Sequence, residues 1–140
     1  MNLLISFMLV FATYYRFGTA CKINRIELHN QLGPGIVLHY YCRDKTRKYP
    51  FETQELKFNT TRVLEFKDAA VTYTKTTTDC YFKYGKYYHD FLAYREATLG
   101  RCGQLRSYTA RKDGIYFTRR YEKPGEFKFH WNVGTFVPKT

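Results

Sequence analysis

Apolar and polar residues alternate with a period of two through most of this chain, and almost nothing in it has a helical period. Such alternation gives one wet and one dry face to an extended strand, so it restricts the fold to half-buried sheets. Residues 23–43 alternate on both sides of Gly33-Pro34-Gly35: Ile26, Leu28 and Leu32 share one parity, as do Ile36, Leu38, Tyr40 and Cys42. This predicts a hairpin in which Leu32 faces Ile36, Leu28 faces Tyr40 and His29 faces His39. Leu56 and Phe58 alternate with charged neighbours, Asn59-Thr60-Thr61 supplies a turn, and Leu64 and Phe66 alternate again. Thr78, Cys80, Phe82 and Tyr84 form another period-two run before Gly85. Residues 87–95 read as a strand whose inward parity is ambiguous. Residues 105–110 and 115–120 flank Asp113-Gly114, a type I′ hairpin signal. Phe127, Phe129 and Trp131 make a closing strand, expected to be buried. The fold expected is a small disulfide-linked β-sandwich, immunoglobulin-like, of about eight short strands.

The exception to the pattern is the start of the chain. Residues 3–12 are apolar apart from Ser6, and Gly18-Thr19-Ala20 precedes Cys21. Small residues at Gly18 and Ala20 suit signal peptidase. A spanning helix needs about 20 apolar residues, roughly twice this run. Residues 1–20 therefore read as a signal peptide and residues 21–140 as one secreted domain with no membrane span. In an oxidising compartment the four cysteines, Cys21, Cys42, Cys80 and Cys102, predict two disulfides, with three pairings open. No two cysteines have the spacing of a zinc site. The net charge is +11, and only Arg16 of the charged residues lies in the leader. Such a chain is drawn to acidic wall polymers and other anionic surfaces.

The chemistry-bearing residues are few. His29 and His39, as expected cross-strand neighbours, have the composition of a ribonuclease pair, yet both lie on a polar strand face and no ribonuclease motif surrounds them. They do not nominate enough ligands for a metal. Ser107 lies in an alternating run without a Gly-x-Ser-x-Gly elbow. The stretch Tyr81-Phe82-Lys83-Tyr84-Gly85-Lys86-Tyr87-Tyr88 interleaves aromatic and basic residues as single-strand nucleic-acid binders do. Strand propensity explains it better, and no specific nucleic acid is expected. No catalytic residue, metal site or cofactor is assigned. Asn59 heads an N-x-[ST] sequon at a turn and is the expected glycan acceptor. Residues 43–50 read as an exposed loop in which Arg43, Lys45, Arg47 and Lys48 are the first candidates for a partner contact.

Several segments together resemble the plant self-incompatibility protein S1 family. Asn30-Gln31-Leu32-Gly33 with Leu38-His39-Tyr40-Tyr41-Cys42-Arg43 resembles its N-x-L … L-x-x-H/Y-C opening. Residues 76–82, with Cys80, resemble its T-x-F-x-C-x-F strand, and Phe91-Leu92-Ala93-Tyr94-Arg95 its F-D-x-Y-R strand. Arg101-Cys102-Gly103 and Asp113-Gly114-Ile115-Tyr116 resemble its later cysteine and its D-G-I-Y hairpin. The chain departs from the pattern in its basic loop after Cys42, in Lys75-Thr76-Thr77-Thr78, and in having Cys21 but no cysteine near the C-terminus. The resemblance implies a secreted, non-enzymatic signalling ligand that binds a cell-surface receptor through its loops, with a role in pollen–pistil or other cell–cell signalling. The competing class is a secreted cationic effector, a ribonuclease or a membrane-active antimicrobial protein. Cys42 and Cys80 both lie on the apolar parity of their strands, which predicts a bridge between facing sheets, and the resemblance points to the same pair. Cys21 and Cys102 then remain for each other.

Overall fold

The computed structural model describes residues 2–17, 23–44, 52–68, 76–96 and 103–135. Helix α1 (Leu3–Phe17) lies within the expected signal peptide, residues 3–10 of it are exposed, and no described helix is long and apolar enough to cross a membrane. Ten strands follow among the described residues: β1 (Asn24–Asn30), β2 (Leu38–Asp44), β3 (Gln54–Leu56), β4 (Thr61–Phe66), β5 (Thr77–Tyr84), β6 (Tyr87–Arg95), β7 (Leu105–Arg111), β8 (Gly114–Thr118), β9 (Glu126–Phe129) and β10 (Asn132–Val133). They build two five-stranded sheets, β4-β1-β7-β8-β9 and β10-β6-β5-β2-β3. The fold is all-β. Alternation points to about eight strands, and the two-residue β10 is too short to display it. Ile26, Leu28, Tyr108, Ala110 and Ile115 of the first sheet pack in one core with Leu38, Tyr40, Phe82, Tyr84 and Phe91 of the second.

The expected hairpin over residues 23–43 does not form. β1 lies between β4, antiparallel, and β7, parallel, while β2 lies between β3 and β5 in the other sheet. His29 therefore faces Thr61 and Thr109, His39 faces Glu55 and Lys83, and neither histidine faces the other. Equal parity on both sides of a turn suits an arch between sheets as well as a hairpin, and the arch gives each strand two hydrogen-bonded neighbours. Asn30 holds the arch. Its side chain is fully buried, donates to the carbonyls of Ile36 (2.9 Å) and Leu56 (2.8 Å), and accepts from the Leu32 amide (3.0 Å).

Three further details depart from the sequence pattern. In β6 the register against β5 skips Ala93, so Ala93 and Tyr94 are both buried while Leu92 is 38% exposed. That bulge is why the parity of this strand is ambiguous. The Ala93 carbonyl accepts a 2.7 Å hydrogen bond from the buried Tyr108 hydroxyl, which ties the sheets together. In the β7–β8 hairpin Arg111 pairs with Gly114, so the loop is Lys112-Asp113, and neither loop residue has positive φ. The loop thus sits one residue earlier than the expected Asp113-Gly114 turn, and it is not of type I′, which needs positive φ at both loop residues. Gly114, at φ +156°, opens β8, and a Cβ on it would lie 2.6 Å from the Phe129 carbonyl oxygen. The closing segment is not one buried strand. β9 is the edge of its sheet, and the chain then crosses to the edge of the other sheet as β10, leaving Phe127 43% exposed and Phe129 and Trp131 half-buried.

Cys42 and Cys80 are joined in a disulfide. They face each other on adjacent strands, 4.1 Å apart at Cα, so the bridge lies within one sheet and not between facing sheets. Cys21 and Cys102 lie outside the described residues.

Candidate functional site

Strand order and register bring five connections to one end of the sandwich: β1–β2, β3–β4, β5–β6, β7–β8 and β9–β10. All five are among the described residues. They are also cross-tied. The Gln31 amide donates to the Ala110 carbonyl (2.9 Å), the Asn59 amide to the Asn30 carbonyl (2.8 Å) and the Gly134 amide to the Lys86 carbonyl (3.1 Å). Fixed loops on a rigid sandwich are where a protein of this build presents recognition residues.

A cleft of about 450 Å³ opens among three of these connections, lined by Tyr84, Tyr87, Lys112, Asp113, His130 and Trp131. Tyr84 is buried at the end of β5 and stacks on Tyr87 across the tight β5–β6 turn, centroids 5.0 Å apart. Trp131 meets Tyr84 edge to face at 4.9 Å. The Trp131 indole N–H donates to the Arg111 carbonyl at 2.6 Å, which locks the ring. Burial, and then the neighbouring Tyr87, push the Tyr84 hydroxyl above its ordinary pKa. On the rim, the Tyr116 hydroxyl donates to Asp113 Oδ2 (2.6 Å), and this bond raises the phenol's pKa. The Arg111 guanidinium lies over the Tyr116 ring, 4.5 Å from its centroid. The arrangement has apolar ring walls and a rim carrying both donors and an acceptor. It suits binding, with no nucleophile poised beside a base.

The residues singled out in the sequence are dispersed. Asn59 is exposed in the β3–β4 turn at the cleft end, at φ +60°, with its Oδ1 accepting from Gln31 Nε2 at 3.0 Å. Arg43 lies near the far end of β2, half-buried, while Lys45, Arg47 and Lys48 lie outside the described residues. His29 sits on the outer face of its sheet: Nδ1 is 2.7 Å from Thr61 Oγ1, and Nε2 is 2.9 Å from Ser107 Oγ and 3.4 Å from Glu27 Oε2. Serine and carboxylate share one ring nitrogen, whereas a triad needs them on opposite nitrogens. Glu27 also accepts from the Tyr121 hydroxyl (2.6 Å), so this cluster acts as a polar seam joining β1 to β4, β7 and the segment after β8. His39 has only a 3.8 Å approach to Glu55, on a different sheet from His29. No group of three His, Cys, Asp or Glu suited to a metal occurs among the described residues.

Sequence reasoning did not assemble the cleft. Its walls come from positions 84–87, 112–113 and 130–131, brought together only by the pairing of strands distant in sequence. Two signals pointed at it singly: the dense aromatic and basic stretch around Tyr84, and Trp131, the one tryptophan of the chain.

Residues 25–131 match the sequence pattern of the family described as plant self-incompatibility protein S1. The chain is similar to S-protein homolog 14 of Arabidopsis thaliana, 36% identical over 140 residues, covering 94% of this chain and 98% of the relative. S-protein homolog 25 of the same plant is 36% identical over 138 residues, with the same coverage of each. Among solved structures, one of self-incompatibility protein homologues matches with a TM-score of 0.65 and 31% identity, over 83% of this chain and 100% of that chain. Those homologues are described as a widespread family of small, highly stable, secreted proteins from plants.

Proposed function

We propose, from the premise that this chain belongs to the plant self-incompatibility protein S1 family, that it is a secreted, non-enzymatic signalling ligand recognised at the cell surface through its loops. The observation that carries this reading is the match to S-protein homologs along nearly their whole length. The fixed loop end supports it, since a preorganised surface loses little entropy on binding. In this reading residues 1–20 are removed as the signal peptide, Cys21 becomes the first residue, Asn59 carries a glycan, and Cys21 pairs with Cys102. The basic segment Arg43, Lys45, Arg47 and Lys48 assists association by attracting an acidic partner surface.

The test uses protein collected from the medium of expressing plant cells. N-terminal sequencing is expected to start at Cys21, and the labelled protein is expected to bind plant cells saturably, with competition from excess unlabelled protein. Binding that never saturates would sink the ligand reading. Hydrolysis of RNA, or leakage of anionic vesicles at the concentrations that saturate cells, would replace it with the cationic-effector alternative.

A further inference from the structure

The cleft at the loop end has a more specific chemistry than a general protein-contact surface. Its volume of about 450 Å³ lies within the roughly 300–1,000 Å³ of small-ligand sites. Its walls are the rings of Tyr84, Tyr87 and Trp131. Their hydrogen-bonding groups are partly committed elsewhere: the indole N–H to the Arg111 carbonyl, and the Tyr84 hydroxyl to the Lys112 carbonyl at 3.4 Å. What these rings offer a ligand is therefore mainly apolar surface with a negative π face, which attracts polarised C–H groups.

The rim is mixed. Lys112 and His130 can donate, and Asp113 can accept. Lys86, with its Nζ 5.6 Å from the centroid of the Tyr87 ring, and Arg111, over Tyr116, add two cations beside the cleft. Three cations thus stand against one carboxylate, and that carboxylate already accepts from Tyr116.

A flat ligand with C–H groups on its face, hydroxyls around its edge and a negative charge answers each of these features. A pyranose ring of a uronic acid has that form. A peptide rich in carboxylates would use the cations alone and would be repelled by Asp113. We propose that the cleft formed by Tyr84, Tyr87, Lys112, Asp113, His130 and Trp131 binds a short acidic oligosaccharide of the uronate type. The proposal deepens the reading of the chain as an extracellular ligand and rests on it: an acidic wall saccharide would be met only outside the cell.

Trp131 is the one tryptophan, so its fluorescence reports the cleft without interference from another indole. The secreted protein is titrated with the trimer of galacturonic acid, with the neutral trimer of galactose, and with short poly-glutamate as a carboxylate-rich peptide. The expected result is a saturable change in Trp131 emission with the acidic trimer, and binding of the neutral trimer weaker by roughly tenfold, the scale of one lost charge-assisted contact. Tyr87→Ala is expected to weaken the acidic trimer by a similar factor through the lost ring wall. Lys112→Glu, on an exposed turn where folding is not at stake, is expected to abolish most of the binding.

No saturable change with the acidic trimer overturns the proposal. So does an equal response to poly-glutamate, which would mark a carboxylate-binding surface for acidic peptides, or undiminished binding by Lys112→Glu. Protein that binds cells saturably yet ignores the trimer removes the saccharide assignment alone. Protein that does neither removes the ligand reading as well.

Discussion

At the scale of single residues, Asn30 ties the β1–β2 arch to β3 through its buried side chain. It is the first residue of the N-x-L motif, and its burial explains why an amide is used there. The Ile36 carbonyl and Leu32 amide of the β1–β2 arch, and the Leu56 carbonyl at the end of β3, would otherwise lack this partner. Asn30→Ala is expected to cost about 3 kcal/mol, counting about 1 kcal/mol for each buried backbone group left unpaired. Urea unfolding should show a lower midpoint with an unchanged slope. His89 gives a second residue-scale expectation. Its ring stacks on Phe129, centroids 4.6 Å apart, and its Nδ1 accepts from Asn132 Nδ2 at 3.2 Å. Burial holds its pKa below the ordinary 6.5, against a weaker opposing effect of Asp90. The unfolded chain therefore takes up this proton before the folded one. The contribution is complete above about pH 6.5 and is lost as pH falls from there through the folded-state value. The melting temperature should drop across that window, and His89→Phe, which keeps the stacked ring, should remove that part of the drop.

At the scale of elements, the β7–β8–β9 meander turns on one close approach. β9 runs so near the start of β8 that Gly114 has no room for a Cβ, and its φ of +156° disfavours any other residue. Gly114→Ala is expected to cost roughly 1–3 kcal/mol through backbone strain and displacement of β9. Because Phe127 and Phe129 sit on β9, the near-ultraviolet circular dichroism of the aromatic cluster should change with it. Much of the element level was legible in advance. β4, β5, β7 and β8 lie where alternation puts them, with Thr78, Cys80, Phe82 and Tyr84 all buried. The misread elements have local causes. One extra residue at Ala93 reverses the parity of β6 partway along, and the crossing at His130-Trp131 splits what reads as one closing strand into pieces of two sheets.

At the scale of the whole molecule, the in-sheet disulfide and the β1–β7 parallel pair tie together segments distant in sequence. Cys42 and Cys80 are 38 residues apart. In the chain-entropy account a loop of that length gives about 4 kcal/mol. The double variant Cys42→Val with Cys80→Val is expected to melt roughly 10 °C lower or more by calorimetry. The sequence by itself determined that the chain is a β protein with one shared core, because period-two burial is a local property written into each strand. It also carried the family likeness, since the motifs stand in the family's order along the chain. The tertiary structure alone decided which strands become neighbours. A strand with one apolar face can satisfy that face in a hairpin or in an arch, and only the competition among all strands for hydrogen-bonded edges selects between them. That same selection placed Tyr84, Lys112 and Trp131 around one cleft and His29 and His39 in different sheets, which no spacing along the chain could reveal.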